Sequence, residues 1–132
     1  MRETNPLQKM TNDLKTHTYE MLDGTTVEYV IGHNARENSR LVQEAENSDI
    51  WFHAGDGISS CHVIAELPVN HNFTERELLN IVKIGAGLCK QNTNKLKDQY
   101  QVSIIYTTVE NVKTTKVYGE VRLKTNPQTI YT

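Results

Sequence analysis

Asp49-Ile50-Trp51-Phe52-His53-Ala54 and Ser59-Ser60-Cys61-His62-Val63-Ile64 are two short runs separated by a segment that holds Gly55, Asp56 and Gly57. Both runs read as strands, and the glycines suit a tight connection between them. Strand side chains alternate between faces, so Ile50, Phe52 and Ala54 fall on one side and Trp51 and His53 on the other. In the second run Cys61, Val63 and Ala65 alternate with His62 and Ile64. Paired, the two strands present one apolar face to bury. On the other face Trp51, His53 and His62 can meet near the loop, in a register that the sequence leaves open.

The chain of 132 residues is long enough for one domain with its own core. Its 37% apolar and 23% charged residues, with a mean hydropathy of −0.56, suit a soluble and rather polar protein. No run approaches eighteen apolar residues and Met1-Arg2-Glu3-Thr4-Asn5 opens no signal peptide, so a cytoplasmic location without a membrane partner is expected. Cys61 and Cys89 sit in apolar surroundings and read as free buried thiols rather than a disulfide framework. Net charge is −2, but residues 1–82 hold six Lys/Arg against thirteen Asp/Glu, and residues 83–132 hold eight against three. Such asymmetry can build a local basic surface on a mildly acidic protein.

Residues 1–17 read as a flexible arm, with a short helix around 7–14 as the alternative, and residues 18–132 as a single domain. Asp23-Gly24 between Thr18-Tyr19-Glu20-Met21-Leu22 and Thr25-Thr26-Val27-Glu28-Tyr29-Val30-Ile31 predicts a hairpin with a type I′ turn. Asn34 with Glu37 three residues on predicts a capped helix over 34–47, with Leu41, Val42 and Ala45 at helical spacing and Asn38 on the same stripe. Thr74 and Glu77 predict a capping box opening a helix over 74–92, with Phe73 packing on Leu78. Gly85-Ala86-Gly87 lowers helix propensity there, which close approach to a sheet would explain. Lys83 and Lys90, one heptad apart, should share a face. Residues 101–109 are a β-rich strand. Residues 110–116 are polar and basic, and 119–124 with 128–131 read as a terminal hairpin around Asn126-Pro127. The fold class is α+β, a mainly antiparallel sheet with two principal helices packed on it.

Catalysis is not expected. Adjacent Cys61 and His62 point to opposite faces of a strand and cannot easily pair as nucleophile and base or share a metal. No CxxC, HExxH or paired-carboxylate motif is present, and Gly85-x-Gly87 lies inside a helix rather than before one. Asp49, before a strand, and Asp56, in a Gly-Asp-Gly turn, have local explanations. No metal or cofactor is implied.

Gly32-x-Asn34-Ala35-x-x-Asn38, Asp49-Ile50-Trp51-Phe52-His53-Ala54, Ser60-x-His62-Val63, Tyr106-Thr107, Asn111-Val112-Lys113 and Gly119-x-Val121 follow one another in a characteristic order. Over roughly residues 18–131 the chain resembles the NFACT-R domain, the RNA-binding module of ribosome quality control proteins. It looks like a stand-alone version, without the usual companion domains. The resemblance implies an RNA partner, through tRNA or ribosomal RNA, with the ribosome and DNA as further candidates; the oligomeric state is left open. It also implies that Asn34, Asn38, Trp51, His53 and His62 form a characteristic surface, with Lys113 on the basic segment.

The full candidate contact set is Asn34, Arg36, Asn38, Trp51, His53, His62, Lys83, Lys90, Lys113 and Lys116. Trp51 and the histidines would stack on bases and the lysines would attract phosphate. Taken as residues alone, a strand Trp is more often core and a helix-face Asn more often holds backbone. Ser60 and Cys61, where the family usually has Gly-Ser, and Glu110 and Thr114, at usually basic positions, depart from the family pattern, and the last two would weaken phosphate attraction. The expected function is a non-catalytic RNA-binding module near tRNA and ribosomes. The first alternative is a protein-interaction module that has lost RNA binding, and an RNA-processing enzyme ranks behind both. On this reading Trp51→Ala weakens binding and leaves the fold intact.

Overall fold

Alternating apolar residues and well-capped helices build eight strands and two helices within residues 14–132, which the computed structural model describes. In chain order these are β1 (Lys15–Glu20), β2 (Thr26–Ile31), α1 (Ala35–Glu44), β3 (Ile50–Ala54), β4 (Val63–Glu66), α2 (Glu75–Gln91), β5 (Ser103–Thr108), a 3₁₀ turn (Val109–Asn111), β6 (Val112–Thr114), β7 (Val121–Leu123) and β8 (Gln128–Tyr131). Six strands form one sheet in the order β1-β2-β4-β3-β5-β8, and β6 pairs with β7 apart from it. Every pairing is antiparallel. The fold is α+β, as the sequence pattern indicates.

Both faces of the sheet are covered at its centre. On one, Val27, Tyr29, Ile31, Ile50, Phe52, Val63, Ala65 and Ile104 meet Ile81, Val82, Ala86 and Cys89 of α2. The Tyr29 hydroxyl donates to the Ile81 carbonyl across 2.8 Å, so this buried phenol is satisfied. A Cβ added at Gly85 would overlap the Phe52 ring, which explains a helix-weakening glycine in mid-helix. On the other face Val30, Trp51 and Ile64 meet Leu41 and Val42 of α1, and Val109 and Val112 close the cluster. This second layer lies under the small β6–β7 sheet.

Both helices begin where their caps predict. Asn34 Oδ1 accepts the Glu37 N–H at 2.9 Å, while Glu37 reaches back to the His33 N–H, one residue before the position a capping box uses. Thr74 and Glu77 form the complete reciprocal box. Among the described residues no helix is long and apolar enough to cross a membrane.

Four boundaries differ from the sequence reading. β1 starts at Lys15, inside the expected arm, because residues 15–20 pair with 26–31; residues 1–13, and with them most of the short helix considered there, fall outside the described residues. In the first hairpin only Gly24 has positive φ (88°), so the turn is not type I′. Met21 donates to Thr25 O and Gly24 to Met21 O, closing a three-residue loop. The connection after β3 is not tight, because β4 begins only at Val63 and residues 55–62 form a loop. The expected terminal hairpin does not form. β8 joins the edge of the main sheet, pairing Ile130 with Ile104, and β7 pairs with β6. The free edge of β5 and the apolar surface under β6 compete successfully with the local turn.

Candidate functional site

β3 and β4 pair with Trp51 opposite Ile64 and Phe52 opposite Val63, which settles the open register. His53 follows Trp51 on its face of β3, and His62 stands just before β4. The three rings do come together. His53 lies parallel to Trp51 with centroids 5.7 Å apart and an 8° interplanar angle. His62 meets both edge-on, at 5.6 Å from Trp51 and 4.8 Å from His53.

Their protonation follows from their partners. The Trp51 indole N–H donates to His62 Nδ1 at 3.1 Å, so that nitrogen carries no proton. The His62 proton sits on Nε2, consistent with its hydrogen bond to the Gly119 backbone. Burial, assisted by the neighbouring His53, pushes the His62 pKa down to about 3, with the Gly119 bond opposing. His53 Nδ1 lies 2.8 Å from the Ala54 carbonyl and must donate to it, leaving Nε2 as an acceptor. Burial also lowers the His53 pKa. Both imidazoles are thus held neutral.

The Gly-x-Asn-Ala-x-x-Asn spacing builds the wall behind them. Gly32 N–H donates to the His62 carbonyl, and His62 N–H donates to Asn38 Oδ1 at 3.1 Å. A Cβ at Gly32 would overlap that same Asn38 oxygen, so a side chain there is excluded. Ser39 Oγ accepts the Gly119 N–H at 2.7 Å and ties the β6–β7 loop to α1.

A polar groove of about 410 Å³ opens above this scaffold, lined by His33, Asn34, Asn38, His53, Cys61, His62, Asn92, Thr93, Asn94 and Tyr118 among others. A second groove of about 660 Å³ continues from His53 and His62 over Asp56, Glu120 and Leu123. The two imidazoles border both.

The candidates divide sharply by exposure. Trp51 is 1% exposed and His62 is 1% exposed. Neither offers a free ring face, which corrects the expected stacking role of the indole: His53 covers one face, and α1 with the small sheet seals the rest. Asn38 is likewise buried, and its carbonyl oxygen is committed to the His62 backbone rather than to a base edge. Asn34 and Arg36 are exposed at the start of α1, and His53 is half-buried. Lys90 is 9% exposed and donates from Nζ to the Thr132 carbonyl, so it does not share an open face with exposed Lys83. Lys83 itself lies on α2, across the sheet from Lys113 and Lys116. The late cations are therefore split between two sides of the molecule.

One group stays together. Lys113 and Arg122 are directly opposed partners of β6 and β7, and both are exposed. Like charges in that relation destabilise a strand pair. Among the described residues neither makes an ion pair. The loop joining these strands carries exposed Lys116 and then Tyr118, which is 63% exposed at the rim of the polar groove.

The sequence pattern of the NFACT protein RNA binding domain matches residues 15–125, most of the chain. The chain belongs to the NFACT RNA-binding domain family. A relative is the coiled-coil domain-containing protein 25 homolog of Dictyostelium discoideum, 30% identical over 97 residues. That alignment covers 74% of this chain and 46% of the relative, so the chain spans about half the length of the curated protein it matches. The C-terminal part of the fibronectin/fibrinogen-binding protein from Streptococcus suis superposes with a TM-score of 0.68 over 89% of this chain and 44% of that one. At 21% identity that likeness shows a shared fold.

Within this NFACT-type fold, sequence reasoning missed Tyr118. Its only signal is an aromatic beside a glycine ahead of a strand, which many turns share. Asn92 and Asn94 were also missed, because only the packing of α2 brings them to the groove. Asp23, His71 and Glu77 come within 4.8 Å of one another at the β1–β2 turn, a cluster drawn from distant segments. Its carboxylates already accept the Thr25 and Thr74 N–H groups. The two acids considered earlier have structural partners: Asp49 accepts from Glu46 and Leu67, and Asp56 from Ser103.

Proposed function

We propose that this domain is a non-catalytic RNA-binding module that acts in the cytoplasm near tRNA and ribosomes, in translation quality control. The observation that carries the reading is the opposed Lys113–Arg122 pair, held without counter-ions among the described residues beside a polar groove, in a chain of the NFACT RNA-binding family. Lysines 113 and 116 with Arg122 supply sequence-independent attraction to phosphate. The half-buried His53 ring, backed by the indole, and exposed Tyr118 supply surfaces on which an unpaired base can stack. Arg36 and Asn34, at the N-terminus of a ten-residue helix, add donors at the groove's end.

A protein-interaction module is the second reading, favoured by exposed Leu78 and Leu79 along a separate groove of about 770 Å³. Salt separates the two. Binding to labelled tRNA, with ribosomal subunits and duplex DNA as competitors, is measured between 50 and 200 mM salt. Neutralising three phosphates of single-stranded RNA gives a log–log slope of about −2, whereas an apolar interface is nearly flat. No salt-dependent association with any of the three nucleic-acid samples would overturn the RNA reading.

A further inference from the structure

Neither cysteine has a part in the RNA reading, yet the fold sets the two thiols against each other. Cys61 lies in the loop before β4, and Cys89 near the C-terminus of α2. Cys61 Sγ donates to the Cys89 carbonyl at 3.4 Å, and Cys89 Sγ to the Cys61 carbonyl at 3.5 Å. Each thiol also perturbs the ionisation of the other, lowering the pKa of Cys61 and raising that of Cys89. Each sulfur contacts the other residue's backbone, so the two side chains lie alongside each other. Both are free thiols. Cys89 is fully sealed, whereas Cys61 is 9% exposed and lines the polar groove, so Cys61 is the nearer of the two to a small oxidant entering from solvent.

We propose that Cys61 and Cys89 are a peroxide-responsive dithiol that closes into a reversible disulfide in the wall of the groove. The roles are unequal. The neighbouring Cys89 side chain and the Thr93 hydroxyl, 3.5 Å from Cys61 Sγ, lower the Cys61 pKa, while the same neighbour and burial push the Cys89 thiol up. Cys61 thiolate attacks hydrogen peroxide; the O–O bond breaks, the departing hydroxide takes up the proton that the Cys61 thiol had released and leaves as water, and Cys61 becomes a sulfenic acid. Cys89 sulfur attacks that sulfur; the S–O bond breaks and the second water leaves with the Cys89 proton. Two S–H bonds become one S–S bond, and one peroxide is reduced to two waters. A small dithiol reverses the step by exchange. The bridge ties the 55–62 loop to α2 immediately before His62.

The test uses the full reduced chain treated with hydrogen peroxide, denatured in an alkylating reagent and read by intact mass and peptide mapping. With two cysteines in the chain, any internal bridge must be this one. The expected product has lost two hydrogen atoms, takes up no alkyl group, yields a linked Cys61–Cys89 peptide and recovers both thiols in dithiothreitol. In Cys89→Ser the reaction stops at a Cys61 sulfenic acid that dimedone captures. Two alkylated thiols after treatment, a bridge only between chains, or sulfinate at Cys61 without an internal bridge would each overturn the proposal.

Discussion

The indole N–H of Trp51 donates to Nδ1 of His62 across 3.1 Å, and both side chains are sealed from solvent. This bond joins β3 to the last residue of the loop before β4 and fixes the tautomer of the imidazole. It also changes what substitution at Trp51 should do. Trp51→Ala leaves a cavity and an unsatisfied His62 nitrogen, so the expected cost is about 3–5 kcal/mol of stability, read by urea unfolding. Trp51→Phe keeps most of the packing and loses the bond, at about 1–2 kcal/mol. A Trp51→Ala variant as stable as the parent would contradict the buried placement.

His62 makes stability fall in acid. Its folded pKa, about 3, lies below the ordinary value of 6.5, so between those limits the unfolded chain binds the proton and the folded one does not. The contribution is complete above about pH 6.5 and declines as pH falls toward 3, by up to about 1.4 kcal/mol per pH unit. The lowered pKa of His53 acts in the same direction. Urea midpoints measured from pH 7 to pH 4.5 should fall, and the slope should be shallower in His62→Asn. Equal slopes in the two proteins would remove His62 as the cause.

Lys113→Glu should move stability and RNA affinity in opposite directions. Facing Arg122, the new carboxylate converts a like-charged cross-strand pair into an opposite-charged one, worth a few tenths to about 1 kcal/mol. The same change removes a phosphate contact and adds repulsion, so tRNA affinity should drop at least several-fold at low salt, with a shallower salt slope. Lys83→Glu, across the sheet, should do much less. Equal losses from both would show that only net charge counts.

Tyr118→Ala, at an exposed position, should leave the unfolding midpoint within about 0.5 kcal/mol of the parent. Affinity for unpaired RNA should fall by about 1–3 kcal/mol if a base stacks there. Unchanged anisotropy titrations would exclude the tyrosine from the contact.

Two glycines of α2 should respond oppositely to alanine. At Gly85 the methyl group meets the Phe52 ring, and overpacking should cost about 1–3 kcal/mol or more. At Gly87 nothing lies within 4 Å of the added Cβ, so the better helix propensity should add about 0.5–1 kcal/mol. Thermal unfolding of the two variants reads both signs.

Local chemistry made much of the fold legible. Thr74 with Glu77 and Asn34 with Glu37 start helices because their side chains satisfy orphan N–H groups within the same turn. The alternation of Ile50, Phe52 and Ala54 against Trp51 and His53 assigns faces of β3, and the three rings gathered as that alternation allows. The close approach behind Gly85 was readable too, because a glycine in mid-helix has a cost that packing must offset.

Exposure was decided elsewhere. Whether Trp51 stacks on a base or fills a core depends on what covers its face of the sheet, and that cover comes from α1, an element away, and from Val109 and Val112, dozens of residues on. The same holds for Lys90, drawn to the Thr132 carbonyl, and for β8, which left its expected hairpin for the open edge of β5. The sequence by itself determined the helix starts, the strand faces and the order of the family motifs, since these rest on contacts within a few residues. Only the tertiary structure decided which rings and cations face solvent, because burial depends on segments that meet through the fold rather than along the chain.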